Sequence, residues 1–558
     1  MNSQHYAENI AQLINNQSRT KFPIRGTTKM MTMNKGKLYP VYNYEILPGD
    51  TWQVHINSLI RSTTMIKPIM NNLWIQIQCF FVPNRLVDPH WEEIMGANKQ
   101  GPWITNKTTY TVPKLKAPQG GWDSKSLADY LGVPIKIENL EINSYYTKSY
   151  VKIWCDRYRD ENRQNLSHIT EEGDLQGSNG TNYVTDAELG GCLLPVGKRH
   201  DYFTSSMIEP QKGPDVLLPL GSSAPVIGNG NALGLDVYTA LNNLQNTYLI
   251  NRSDGYGLAM SSDSQTDKTL NQAKTPIGYS NTNKFVGLSE NPAISGAIAD
   301  LSQASAASVN QLRMAIALQQ LYELDALSGT RYTEIIFSHY GVRSSDSRLQ
   351  ISEYLGGKSI PLSVTQVIQT SETASGSPQG NLAGMSQTWD GDEYFTKSFE
   401  EHGIMHVLAC IKGENIYQQG LHAKFSKFKR TDYYDPIFAN LGMQPIYNRE
   451  IYAQGTEEDN EAFGYKEAWD EYRVFNAEVA GEFRSNAPNS LDYWGIARDF
   501  AELPTNGEKF IEEGASNLDK ALTVASTVAD QFQCVFSMDG STMVRVMPAH
   551  SVPGLKRF

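Results

Sequence analysis

Two stretches near the start of the chain alternate apolar and polar residues with a period of two. Trp52, Val54, Ile56, Ser58 and Ile60 share one face of the first. Leu73, Ile75, Ile77, Cys79 and Phe81 share one face of the second, which stops at Pro83. Side chains along a strand point to opposite faces in turn, so each stretch predicts a half-buried antiparallel strand. Met405, Val407, Ala409 and Ile411 repeat the pattern late in the chain. At the end, Phe532, Cys534 and Phe536 alternate, Asp539-Gly540 offers turn residues, and Val544 and Val546 alternate again. That order predicts a C-terminal hairpin.

Helical spacing lies between these runs. Asp123 or Ser124 is placed to cap a short helix through Leu131. Tyr146, Tyr150, Trp154 and Tyr158 recur every four residues, which predicts a helix over 144–161 with an aromatic packing face. The clearest helix runs from Val309 to Leu327, with Ser308 as cap and Gly329 as stop. Periodicity therefore supports antiparallel β-structure with inserted helices. It does not select a topology.

Composition divides the chain further. Residues 1–40 are polar and basic, with Arg19, Lys21, Arg25, Lys29, Lys35 and Lys37 against Glu8, and read as an arm. Residues 222–308 are rich in Asn, Ser, Gly and Ala, with few charges. They read as a linker, or as an inserted subdomain that orders through neighbours. The expected organisation is an arm (1–40), a first part of the core (41–221), the insertion (222–308) and a second part of the core (309–558).

The net charge is −12 and only 19 % of residues are charged, which argues against a protein that coats nucleic acid with its whole surface. The charge is uneven, since 457–513 is acidic while the arm is basic. Lys424-Phe-Ser-Lys427-Phe428-Lys429-Arg430 interleaves cations with aromatic rings. Such a run can hold single strands by phosphate attraction and base stacking. It can equally be a solvated strand edge whose lysines block unwanted pairing. Cys79, Cys155, Cys192, Cys410 and Cys534 are scattered and odd in number, as buried free thiols in a reducing cytoplasm would be. No apolar signal region and no run of roughly 18 apolar residues occurs, so membrane insertion is not expected.

Candidate chemistry is thin. Gly356-Gly357-Lys358-Ser359 mimics the end of a phosphate loop, but its first glycine would fall at Ser352. Gly228-Asn-Gly-Asn-Ala-Leu-Gly234 has one residue too many for a dinucleotide fingerprint. His402 and His406 have a metal-friendly spacing without a completed ligand set. No nucleophile elbow is present. These readings predict no enzyme, no metal and no cofactor.

One block remains. Gly329-Thr330-Arg331-Tyr332 leads through His339 and Gly341 to Tyr354, Gly356 and Gly357, dense in glycine, arginine and aromatic residues. It reads as a long ordered connection. It resembles a signature of the major capsid proteins of the Microviridae, the small icosahedral single-stranded DNA phages, on the gokushovirus branch. Leu47-Pro-Gly-Asp-Thr51, Phe80-Phe-Val-Pro-Asn-Arg-Leu86, Lys198-Arg-His-Asp-Tyr-Phe-Thr204, Pro210-Gln-Lys-Gly-Pro214, Tyr434-Asp-Pro436, Leu441-Gly-Met-Gln444 and Pro553-Gly-Leu555 fit the same family in order.

The resemblance implies a mainly β fold, an antiparallel eight-stranded jelly roll with large loop and helical insertions. It implies a structural subunit that self-assembles, through pentamer intermediates, into a T=1 icosahedral shell around circular single-stranded DNA. The implied partners are copies of the chain, packaged DNA, a small basic DNA-binding virion protein, an internal scaffolding protein and a host cell-surface receptor. The chain would be made in the bacterial cytoplasm and end in the virion. The insertion 222–308 would form outward protrusions at the threefold axes. Candidate DNA contacts are Arg19, Lys21, Arg25 and Lys29, with Lys427 and Lys429 weaker. A β-sandwich carbohydrate-binding protein or glycoside hydrolase without an assembly role is the rival reading.

Overall fold

The structure, a computed structural model, describes residues 19–99, 108–217 and 309–549 (374, 376 and 377 excepted), with six strands between 226 and 299. The chain splits into two compact units, Met1–Lys212 with Glu323–Phe558, and Gly213–Tyr322.

The first unit is built on two antiparallel sheets. The strands of these two sheets are β1 (Thr20–Pro23), β2 (Lys29–Met33), β3 (Tyr39–Ile46), β4 (Thr51–Ser62), β5 (Leu73–Pro83), β6 (Glu353–Pro361), β7 (Val364–Ile368), β8 (Leu382–Ser398), β9 (Gly403–Gly413), β10 (Phe532–Ser537) and β11 (Thr542–Arg545). One sheet runs β1-β11-β4-β8-β7, with β10 also on β4 and β2 on β10. The other runs β6-β5-β9-β3. Among the described residues these sheets do not close into a barrel.

The alternation in β4 and β5 has the expected cause. Trp52, Val54, Ile56 and Ile60 point into one core with Ile75, Ile77, Cys79 and Phe81, joined by Phe532, Cys534 and Phe536. Burying one such large side chain stabilises by about 1.5–3 kcal/mol. β9 departs from expectation, because nearly every residue of it is buried. A helix, α2 (Tyr145–Arg157), covers its second face. Ser149 Oγ meets His406 Nε2 at 2.7 Å, and the Tyr158 hydroxyl donates to Gln78 of β5. Tyr150 and Trp154, from the aromatic stripe, are fully buried and donate to the Leu38 and Pro195 carbonyls. Layers therefore follow in the order sheet, sheet, helix.

Several expectations are corrected. β10 and β11 do not pair as a hairpin. Both run antiparallel to β4, β10 along Asn57–Ser62 and β11 along Thr51–Gln53. Asp539-Gly540 is a kink between two successive segments, and Ser541 fastens it by accepting the His55 N–H and donating to the His55 carbonyl. The arm is not free over residues 20–33, since β1 and β2 are strands of the first sheet. The short helix, α1 (Leu127–Leu131), is capped by Ser126, not Asp123 or Ser124. The predicted long helix is α3 (Val309–Ser328); Ser308 lies outside the described residues. The signature block, read as a long ordered connection, holds regular elements of its own: helix α4 (Tyr332–Tyr340) and then β6.

In the second unit, a four-stranded antiparallel sheet has the order Leu258–Ser262, Leu244–Arg252, Leu233–Tyr238, Phe285–Leu288. Val226–Gly228 pairs with Ala297–Ala299.

Candidate assembly and nucleic-acid surfaces

The signature block is a clamp. Gly329 stops α3 at φ +88°, and a side chain there would strike the Glu334 carboxylate. Arg331 caps α4, donates to the Arg159 carbonyl at 2.6 Å and pairs with Glu161 and Glu334, each at 3.3 Å. Thr330 donates its hydroxyl to Glu161 as well. His339 meets Asp325 at 2.9 Å, tying α4 back to the end of α3. Gly341 ends α4 at φ +67°, with its N–H on the Phe337 carbonyl. In β6, a side chain at Gly356 would collide with the Tyr394 carbonyl oxygen of β8, and one at Gly357 would stand 2.8 Å from the Ile77 carbonyl oxygen. Tyr354 packs on Phe80 at 5.6 Å. Tyr332 is exposed. Lys358, the residue of the phosphate-loop mimic, is held by Asp390 at 2.8 Å and Asp392 at 3.1 Å. The block positions helices and strands and presents no reacting group.

The other motifs behave alike. Lys198 lies over the Phe510 ring at 4.1 Å, and Arg199 over Trp74 at 4.0 Å. Burial, with the Arg498 charge adding to it, pushes Lys198 down to about 7. Pro553-Gly-Leu555 lies outside the described residues. Sequence reading missed the most buried ion pair among the described residues, Lys35 with Glu513 at 2.9 Å, joined by Arg498 at 3.0 Å. Nothing in the local spacing of these residues signals that they meet.

The candidate DNA contacts divide. Arg19, Lys21 and Arg25 are exposed, while Thr20, Phe22 and Ile24 between them are half-buried. Extended chain thus carries three cations on one outer face along the edge strand β1. Lys29 does not join them. Its ammonium donates to the carbonyls of Pro40 and Tyr130, and burial pushes it down to about 8 despite nearby Asp129. Its hydrogen bonds serve the fold, which sets it apart from the three exposed cations.

The 424–430 run is not extended, because Ala423–Ser426 and Arg430–Asp432 are 3-10 turns. Lys424 pairs with Glu478 at 3.1 Å. Lys427 pairs with Glu471 at 2.9 Å under the Tyr472 ring, and its side chain is mostly covered. Lys429 is exposed, beside an Asp432 carboxylate held below its usual range by the Lys429 and Phe428 N–H groups. Acidic neighbours therefore answer much of the positive charge on this run. Phe428, Ile437 and Phe475 remain more than 80 % exposed. Exposed apolar residues among paired charges suit a protein contact better than a phosphate backbone.

His406 is fully buried, and burial pushes it down to about 3; His402 packs edge-on against Trp91. Among the described residues no group of three metal-ligating side chains occurs, and no helix is long and apolar enough to cross a membrane.

A profile of the capsid protein (F protein) family matches residues 12–555. The chain belongs to this family, the major capsid proteins of the Microviridae. Capsid protein VP1 of Spiroplasma virus 4 is 38 % identical over 552 residues, covering 97 % of this chain and 96 % of the relative. Capsid protein VP1 of Bdellovibrio phage phiMH2K is 38 % identical over 558 residues, covering 99 % and 98 %. Capsid protein VP1 of Chlamydia phage 1 is 35 % identical over 576 residues, covering 94 % of each. This capsid protein is a structural subunit, and the carbohydrate-binding or hydrolase alternative finds no support.

Proposed function

We propose that the chain is the sole repeating subunit of a T=1 icosahedral shell enclosing circular single-stranded DNA. The observation that carries this reading is similarity to capsid proteins along nearly the whole length of the chain and of each relative. The two open sheets are then the elaborated halves of an eight-stranded jelly roll. The insertion 222–308 points outward as the host-attachment protrusion. Arg19, Lys21 and Arg25 face inward to packaged DNA, with Lys429 as a lesser contact. The further partners are an internal scaffolding protein, a small basic virion protein that shares neutralisation of the genome, and a host receptor. Synthesis takes place in the bacterial cytoplasm, with pentamers as assembly intermediates.

The test is co-expression with the neighbouring genes of its genome, followed by sedimentation and electron microscopy. Closed isometric particles and pentamer-sized intermediates are expected. A chain that stays monomeric at high concentration beside those partners overturns the reading. Deleting 222–308 is expected to leave the β sandwich folded while abolishing attachment to host cells.

A further inference from the structure

Helix α3 has no buried residue along its 20 positions, although it is rich in large apolar side chains. Surface helices normally carry one apolar stripe and one polar face; a helix apolar on several sides is an enclosed one. Leu312, Ile316 and Leu327 form one exposed stripe. Met314, Leu321 and Leu324 form a second, rotated about 130° from the first at 3.6 residues per turn. Leu318 and Tyr322, on a third side, are half-buried. Among the described residues, two different stripes thus remain exposed. The clamp from Gly329 to Gly341 fixes the C-terminal end of the helix through His339–Asp325.

We propose that α3 is gripped by two neighbouring copies of the same chain, the Ile316 stripe of one copy packing on the Leu321 stripe of the next. The proposal rests on the shell-subunit reading, which supplies identical neighbours. Two unlike stripes on one helix make a head-to-tail contact, and such contacts close into a ring when the rotation permits. A two-fold pair would cover only one stripe. Charge favours the same occupant. The chain carries −12 overall and repels its copies, but α3 holds only Arg313, Glu323 and Asp325, and Asp325 is already answered by His339.

Two measurements on the full chain test it. Ile316→Glu and Leu321→Glu, made separately, are expected to leave the subunit folded by circular dichroism and to abolish particles, while the wild type assembles. Should the wild type itself form no particles, the shell-subunit reading fails. Should it assemble and both variants assemble equally, the α3 proposal alone fails. Ile316→Cys and Leu321→Cys keep the stripes apolar in case the glutamates disturb folding. Shells mixed from the two cysteine chains, treated with a short bismaleimide, are expected to yield cross-linked dimers above the wild-type background, and shells of either chain alone none. Dimers from a single variant, a cross-link to a chain of different mass, or no cross-link in assembled mixed shells overturns the head-to-tail contact.

Discussion

Asp50 and Arg545 lie 495 positions apart and meet through three short contacts, the Arg545 Nη2 standing 2.6 Å from Asp50 Oδ2. The aspartate is wholly buried and also accepts the Leu47 N–H at 3.0 Å. Arg545 ends β11, so this pair fastens the C-terminal strand to the turn that opens β4. Removing one partner of a buried pair strands the other charge and costs about 3–5 kcal/mol. Arg545→Met is expected to lower subunit stability by about that amount in a urea titration. Asp50→Asn combined with Arg545→Met is expected to recover part of the loss, because no unpaired charge remains. Equal stability of the single and double variants would show that the charges do not interact.

The buried His406 makes stability depend on pH. Burial holds its folded value at about 3, against an ordinary value of 6.5. Below about 6.5 the unfolded chain takes up a proton that the folded chain refuses. Stability from this group is therefore complete above that pH and falls by up to about 1.4 kcal/mol for each unit of acidification toward about 3. His406→Gln removes this proton uptake. The gap between wild-type and variant unfolding midpoints is expected to narrow steadily from pH 6.5 to 5. A gap that stays constant would mean that the imidazole becomes charged inside the fold.

Two glycines of the signature block are expected to differ in kind. Gly356→Ala drives a methyl group into the Tyr394 carbonyl between β6 and β8, where two backbones meet and neither has room to move. Overpacking of this sort costs about 1–3 kcal/mol, and the upper end is expected here. Gly341→Ala meets open space and only the left-handed backbone resists it, so about 1 kcal/mol is expected. Thermal unfolding of the two variants checks the order; the reverse order would place the strain of this block in its helix cap.

The sequence made the half-buried strands legible and left the shared ones obscure. β4 and β5 were readable because one face of each meets the core and the other is more polar. β9 lost its alternation because α2 covers its second face, a tertiary fact with no local mark. Asp539-Gly540 carried hairpin chemistry, but β4 is long enough to take β10 and β11 in succession, so the turn became a kink. Among the cations, charge alone suggested Arg19, Lys21, Arg25 and Lys29 equally. Register separates them, since the first three fall on the outer face and Lys29 reaches carbonyls of Pro40 and Tyr130. The capsid signature was recognisable as a pattern, while its work as a clamp depends on Arg159, Glu161 and Asp325, none of which belongs to the motif.

That separation sharpens the DNA prediction. Lys21 lies on the edge strand β1, flanked by Arg19 and Arg25; all three are exposed, and no folding role holds Lys21 or Arg25 among the described contacts. Charge reversal of all three to glutamate is expected to leave the subunit folded and able to form shells. Genome retention in those shells is expected to fall, and to fall further as salt rises, because each phosphate neutralised releases counterions. The effect is expected to be the same for any packaged sequence, since phosphate contacts carry no base information. Lys29→Glu is the contrasting variant. It places a carboxylate against two carbonyl oxygens in a largely buried site, so loss of folded subunit is expected rather than loss of DNA. Measuring shell-associated DNA by nuclease protection, beside subunit folding by circular dichroism, separates the two outcomes. Normal retention in the triple variant would make the cations guards of the β1 edge against stray strand pairing. A folded Lys29→Glu subunit with reduced DNA would return Lys29 to the binding surface.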